Sequence, residues 1–551
     1  MKTDHPALRI AVIGAGPRSL GALEALAADL REEKRAVQID TFDPFPANAA
    51  GPNFDPEESP LCLLNTAMRD IDIRAPEQSN CGGFADWLAH DPDPDSFPLR
   101  ADLGRYLEAR HSDLAAQGYP TITRVFGRAD DLRPKGDGWK ISLHGQWLGP
   151  YDEVLLTPGQ PASAPDNQLS DWQDHAARSG AILANAYPAR NLARAAEQWG
   201  DKTVAIRGMG LSVFDVLRVL TTGLGGRFEN DQYIASGREP ARILPFSLDG
   251  KPPFPKPETS ELDALYTPPK ADTEAFSKAM AQAASTTPDR ARELLDAAII
   301  PAVRHVLDQH GVTVSDKDIA DWLDKEWDDP GSQSSDGPRE TLQAGIELAS
   351  GQRAPDIGFA FGQIWRKWQD EIRAAYNPAE TPPDTAEKIV GFDEGLKRYS
   401  YGQPISSARE MEALIKAGVV DLGHAADPDI ELAKSGWQLS SGERETEVSV
   451  MVDSVLPSPN LSIVTDPLIC DLIDKGSLCE TAKGMGARTT PDGTVIGRDG
   501  TPIPHLCLLG RMSLGSVIAV DSLHDCFGEA AKRWAKGVAE RLKQKSDIEP
   551  A

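Results

Sequence analysis

Cysteine is scarce in this chain: six residues in 551, none at a CxxC or metal-ligand spacing. That excludes a disulfide-stapled scaffold and a zinc module, and Cys62, Cys81, Cys470, Cys479, Cys507 and Cys526 are expected to be reduced thiols, mostly packing. Basic residues are short too, with 57 Lys and Arg against 84 Asp and Glu and a net charge of −27. Such a surface repels phosphate, which excludes a nucleic-acid partner. Long apolar runs are also missing. The run at 506–520 is broken by Arg511 and rich in Gly and Ser, too short and too polar to span a bilayer. The first apolar residues, 10–13, enter a turn at Gly14, unlike a secretory leader. The expectation is a cytoplasmic protein without a membrane role, its oligomeric state left open.

What is present is a strand, glycine turn and helix, written twice. RIAVIGAGPRSLGALEALAADL gives an apolar strand, a turn at Gly14, and apolar residues at helical spacing (Leu20, Leu23, Ala27, Leu30). A second strand at 37–42 ends at Asp43 and completes a β-α-β unit. YDEVLLTPGQP is a buried-type strand stopped by Pro158 and Gly159, and TVAIRGMGLSVFDVLRVLT then restarts the pattern. From 251 to 385 the texture changes to Pro-rich loops and helical segments such as 290–309 and 362–375. We read this stretch as an inserted helical layer or lid, mobile at the polar run DDPGSQSSDG (328–337). Strand character returns at 448–456, and the chain closes with a strand, a loop and a long helix.

The expected fold class is therefore α/β, with two Rossmann-like dinucleotide-binding domains and an inserted helical subdomain. Residues 1–200 and 448–551 are assigned to the first domain, 201–250 and 386–447 to the second, and 251–385 to the insertion. In the first turn, Gly14 permits the tight bend and Gly16 lets the backbone approach a pyrophosphate at the positive end of the helix. Ser19 is small enough to keep that helix on the sheet. Asp43, at the end of the next strand, can hold ribose hydroxyls. A turn that merely packs is the competing reading. Gly208, Gly210 and Ser212 offer a second cradle for NAD(P)H, with Ser212 able to cap the helix and donate to phosphate, unless the unit is degenerate and binds nothing. Arg238 and Lys251, near the strand at 241–247, are candidates for a 2′-phosphate.

Two glycine turns in this order, a TPG at 157–159 and the terminal LLGRMSLGS together resemble the two-dinucleotide-binding flavoproteins. GAGPRSLG, LLNTAMRDIDI, GMGLSVFDVL, SGREP and YGQPISSAREMEALIKAGVVDLG are similar to FAD/NAD(P)-binding proteins related to flavin-dependent amino-acid N-monooxygenases, including the aspartate-oxidising, nitrosuccinate-forming enzymes. The resemblance implies FAD on Gly14, Gly16, Pro17, Arg18, Ser19 and Asp43, with Asn65 and Thr66 near the flavin ring. It also implies that Gly510, Arg511, Gly515 and Ser516 lie where the last strand meets the C-terminal helix, whose N-terminus can stabilise a reduced flavin. The expected activity is hydroxylation of the amino group of a small polar substrate, such as an amino acid, with NAD(P)H and molecular oxygen. Where the family commonly has Ser-Arg, this chain has Ser247-Leu248, which leaves NADH against NADPH open.

A redox CxxxxC near the first turn is absent, which removes the disulfide reductases. A flavin dehydrogenase or reductase without oxygen insertion remains an alternative, as does a non-enzymatic, redox-sensing flavoprotein. His524, which the resemblance puts near the flavin, is the candidate acid or base, weighed against a histidine hydrogen-bonded inside a packing face. Asp521 is a second catalytic candidate that could instead cap a helix. Cys507 and Cys526 read as core thiols, and Trp365 and Trp368 as helix packing. The run SYGQPISSAR (400–409) reads equally as a substrate contact or a rigid connection.

Overall fold

A computed structural model describes residues 7–31, 36–333 and 336–548. Strands β1 (Leu8–Ile13), β2 (Val37–Asp43), β3 (Thr121–Phe126), β4 (Glu153–Leu156), β5 (Ile182–Asn185), β6 (Thr203–Arg207), β7 (Arg242–Phe246), β8 (Val450–Asp453), β9 (Thr494–Ile496) and β10 (Pro502–Leu508) build two sheets. The first has the order β9-β10-β4-β1-β2-β3, parallel except for the β9/β10 pair. The second is β7-β6-β8-β5 and wholly parallel. Ile10, Ala11 and Val12 in β1 and Val204, Ala205 and Ile206 in β6 are fully buried. Burial on both faces is what a parallel sheet requires, and it explains why these strands read as continuous apolar runs rather than as alternation.

Each central strand leads through a glycine turn into a helix, α1 (Pro17–Arg31) after β1 and α2 (Ser212–Leu220) after β6. Each sheet also receives a strand by way of an antiparallel three-stranded meander. Strands Ala129–Lys135, Gly138–Leu143 and Gln146–Tyr151 precede β4, and Asp429–Ala433, Gly436–Ser441 and Arg444–Val448 precede β8. The two units therefore repeat one plan, and the chain crosses between them twice. The crossing segments run side by side, with Ala164 N donating to Ile463 O and Thr465 N to Ala162 O, both at 2.7 Å.

Sheet membership differs from the expected boundaries of 200 and 448. Strand β5 pairs with β8, so residues 182–185 already belong to the second sheet, and β8 pairs with β6, so the return to the first sheet follows Asp453. Hydrophobic period reveals a strand but not which neighbour satisfies its hydrogen bonds. For the same reason the single strand expected at 448–456 is two, the end of a meander and β8, in different sheets.

The helical layer includes α3 (Ile357–Lys367), α4 (Gln369–Tyr376) and α5 (Pro383–Ser400), so it runs past the expected limit of 385. The helix expected at 362–375 is broken at Trp368, which closes α3 and opens α4. Trp365 and Trp368 are buried in the layer's core, where Trp368 stacks on Phe276 with ring centroids 4.0 Å apart. That core is continuous with Leu514, Ile518 and Val520 of the C-terminal segment. Tyr376 Oη donates to Gly515 O at 2.7 Å and Ile518 N donates to Asn377 Oδ1 at 2.9 Å, so the layer is fastened to the first domain rather than hung as a free lid. Of the polar run expected to be mobile, residues 334 and 335 lie outside the described residues.

Candidate functional site

The two glycine turns are built alike. Gly14 has φ +96° and Gly208 φ +106°, a region open to glycine but strained for other residues. A Cβ on Gly14 would sit 2.2 Å from Thr157 O, and one on Gly208 would sit 2.8 Å from Ser454 Oγ. Thr157 and Ser454 are the residues that follow β4 and β8, and their hydroxyls donate to the carbonyls of Gly14 at 2.6 Å and Gly208 at 3.1 Å. The first glycine of each turn thus closes it against the neighbouring strand. At the second glycine of each, Gly16 and Gly210, a Cβ would meet nothing within 4 Å among the described residues. Open backbone at a helix N-terminus is the geometry that admits a pyrophosphate.

Around the first turn, Pro17 is the first residue of α1, and Ser19 Oγ donates to Gly16 O at 2.7 Å. The carboxylate of Asp43 accepts from the backbone N–H groups of Ala15 and Phe45, each at 2.6 Å, and so braces the turn. Ala49 N donates to Ala15 O at 2.7 Å, which brings the segment after β2 onto the turn. Arg18, expected on the cofactor, is committed elsewhere: Nη1 donates to Asp525 Oδ2 at 2.5 Å and Asp525 O at 2.7 Å, and Nη2 to Val520 O at 3.2 Å. Gly510 makes room for that side chain, since a Cβ there would lie 3.3 Å from Arg18 Nε.

The C-terminal helix α6 (Glu529–Ile548) begins well after the expected junction at 510–516, with the short helix Leu523–Cys526 between. Gly515 packs on Thr481 and Met485, and Ser516 Oγ is buried with Thr481 Oγ1 and Thr489 N at 2.9 and 3.0 Å. These two residues support the segment from behind. The helix end that faces open space is Gly528, Glu529 and Ala530, which lines a cavity.

That cavity has a volume of about 1490 Å³, larger than the roughly 300–1,000 Å³ of a single small-ligand site. Gly210 and Ser212 lie on its wall together with Asn65, Thr66, Arg511, Asp521 and His524. Pro52, Asn53 and Phe54 extend the lining, and Gly51 before them approaches Gly16, so the first turn lies close to this space without lining it. In a chain of net charge −27, eleven lysines and arginines line it against eight aspartates and glutamates. The lining is suited to an anionic guest.

Two of those cations have no signal in the sequence. Lys256 is buried, and its Nζ donates to Asn65 O. Burial, with the nearby Arg366, brings its pKa down to about 7. Arg373, on α4, is 8% exposed; Nη2 donates to Asp370 Oδ1 at 2.6 Å, while Nη1 has no partner among the described residues. A buried guanidinium N–H left unpaired is costly, and a bound carboxylate or phosphate would satisfy it.

The catalytic candidates are also placed. Asp521 accepts from Lys397 Nζ and Arg511 Nη1, each at 2.8 Å, and these cations outweigh burial and hold its carboxyl below its ordinary range. Its carboxylate ties α5 to the C-terminal loop. His524 accepts from Asp72 N–H at Nε2, 3.2 Å away, and burial with Arg373 lowers its pKa, which favours the neutral ring. Ser212 opens α2 but makes no side-chain cap; the N-cap position is Leu211. Arg238 precedes β7 and so lies at the amino edge of the second sheet, whereas dinucleotides bind at carboxyl ends. Lys251 follows β7 and lines the cavity. Ser400 and Tyr401 reach the cavity, while later residues of that run tie elements together through Arg218 to Ser407 at 2.7 Å and Arg409 to Glu258 at 2.5 Å. All six cysteines are free, with Cys507 and Cys526 raised in pKa by burial.

Residues 11–161 match the FAD-NAD(P)-binding family model. The chain is 26% identical to the nitrosuccinate-forming L-aspartate N-monooxygenase of Streptomyces davaonensis, over 90% of this chain and 88% of that one. It is 24% identical to a nitrosuccinic acid synthase of Aspergillus oryzae, over 85% and 81%. Among solved structures, the FAD-bound cadaverine monooxygenase of the desferrioxamine pathway of Erwinia amylovora superposes with a TM-score of 0.51 at 12% identity, over 97% and 95%. Residues 11–161 are thus similar to the FAD-NAD(P)-binding family, and the chain is similar over most of its length to nitrosuccinate-forming enzymes.

Proposed function

We propose that the protein is an FAD-dependent N-monooxygenase that oxidises NAD(P)H, reduces O2, and hydroxylates the amino group of a small acidic amino acid. The overall step balances as NAD(P)H, H+, O2 and the amine giving NAD(P)+, water and the hydroxylamine. The observation that carries it is one cavity, rich in cations within an acidic protein, which the second glycine turn lines and where the buried Nη1 of Arg373 lacks a partner among the described residues.

In this reading Gly14, Gly16, Pro17 and Ser19 shape the cradle for the FAD pyrophosphate, Asp43 braces it, and Asn65 and Thr66 border the ring. Gly208, Gly210 and Ser212 form the cradle for NAD(P)H. FAD, when bound, supplies hydride acceptance and oxygen activation. The chain's own groups bind and orient: Arg373 and Lys256 hold substrate carboxylates, neutral His524 bounds the site without adding charge, and the Asp521 clamp fixes the C-terminal wall. Free thiols and a supply of reduced nicotinamide suit a cytoplasmic setting. Among the described residues no helix is long and apolar enough to cross a membrane.

The test is to incubate the holoprotein with NAD(P)H, O2 and, in turn, L-aspartate, L-glutamate, L-ornithine, L-lysine and cadaverine, and to compare NAD(P)H consumed with hydroxylated product formed. The proposal expects an acidic amino acid to give the tightest coupling. Product only from basic amines, or none from any, would contradict it.

A further inference from the structure

The end of β7 stands to the second glycine turn as the end of β2 stands to the first. Gly14 N donates to Phe42 O at 2.9 Å and Gly208 N donates to Phe246 O at 2.8 Å. The strand registers agree, with Ile13 opposite Phe42 and Arg207 opposite Phe246. Ser247 therefore occupies the position that Asp43 holds in the first unit. At this place in a dinucleotide fold, an acid accepts from the ribose 2′-hydroxyl, while an arginine receives the 2′-phosphate of the phosphorylated cofactor.

The residues that follow are Leu248, 87% exposed, and Asp249. The Asp249 carboxylate accepts from Ser247 Oγ at 3.0 Å and from Lys251 N at 3.1 Å, and it pairs with Arg398. Ser247 and Asp249 line the same cavity as Gly210 and Ser212. An acid is thus fixed beside the ribose position, and the charge of Arg398 is matched by it. A 2′-phosphate placed there would bring like charge onto Asp249 and meet an aliphatic side chain at 248.

We infer that the second turn selects the nicotinamide dinucleotide without a 2′-phosphate, NADH over NADPH, with Asp249 as the acceptor for the ribose hydroxyls and Leu248 standing where a phosphate-binding cation would. The inference rests on the nicotinamide assignment of the Gly208–Ser212 turn.

The test reads binding apart from turnover. The FAD-loaded protein, its first site filled, is titrated by calorimetry with ADP-ribose and with 2′-phospho-ADP-ribose, which carry no hydride. In parallel, NADH and NADPH are titrated anaerobically and the bleaching of the flavin gives their apparent Kd. The unphosphorylated member of each pair should bind about ten-fold tighter or more. Leu248→Arg, a change at an exposed position, should erase or invert that ratio, and Asp249→Asn should narrow it while weakening ADP-ribose. Equal or tighter binding of the phosphorylated members overturns the inference and leaves the N-monooxygenase reading standing. Loss of that tighter binding in Lys251→Ala would then assign the phosphate to Lys251. Failure of all four ligands to bind overturns the nicotinamide assignment itself.

Discussion

Arg18 and Asp525, 507 positions apart, share a buried ion pair at 2.5 Å. The helix that opens on the first glycine turn is thereby locked to the C-terminal segment that walls the cavity, and Gly21 lets the two approach so closely that a Cβ would lie 1.9 Å from Cys526 O. Removing one partner of such a pair leaves a buried charge uncompensated and costs about 3–5 kcal/mol. Arg18→Ala should lower the denaturation midpoint and speed the release of FAD. Denaturant unfolding followed by tryptophan fluorescence, with FAD fluorescence read in parallel, measures both.

The twin turns separate folding from binding. Gly14→Ala places a Cβ against Thr157 O at φ +96° and should damage the fold. At Gly16→Ala and Gly210→Ala the new Cβ meets no atom of another described part of the chain within 4 Å, so both should fold. The first should purify with depleted FAD. The second should keep FAD and lose affinity for NAD(P)H, which visible spectra of the purified proteins and anaerobic titration distinguish.

Arg373 provides the test of substrate anchoring. A hydrogen bond to a charged group contributes about 1.5–3 kcal/mol. Arg373→Met should therefore raise the KM for an acidic substrate about ten- to hundred-fold, with anaerobic flavin reduction by NAD(P)H unchanged.

Lys256 gives the site a pH dependence of defined sign. Burial, then Arg366, lowers its folded pKa from 10.5 to about 7, so it is cationic below that value and neutral above. Because the folded value lies below the unfolded one, its contribution to stability is present above about 10.5 and lost as pH falls through about 7. Anion binding follows the opposite course and strengthens as pH falls through about 7. The KM of an acidic substrate should rise with pH across neutrality, and Lys256→Met should flatten that rise.

Local pattern carries the glycine turns, the flanking strands and helices, and the crossing after Thr157, because each is set by residues close in sequence. The sheet to which β5 and β8 belong is decided by distant hydrogen-bond partners and leaves no mark on periodicity. Lys256 and Arg373 were missed for a related reason. A lysine in a Pro-rich loop and an arginine on an amphipathic helix look like solvated surface charges until packing buries them. His524 and Asp521 stood out in the sequence as catalytic candidates and both line the cavity, but their partners, Asp72, Lys397 and Arg511, come from three separate segments. Ser516 shows the reverse error: it lies inside a motif, yet its hydroxyl is taken up by Thr481 and Thr489.

In the proposed reaction, oxygen from O2 reaches the amino nitrogen of a small acidic amino acid. Turnover of the holoprotein with NADH or NADPH and L-aspartate under 18O2, followed by mass spectrometry, tests it most directly. The expected result is 18O in an N-oxidised product, formed in proportion to the nicotinamide consumed. Nicotinamide oxidation that yields hydrogen peroxide and unmodified aspartate, with no 18O on any amino acid offered, would contradict it.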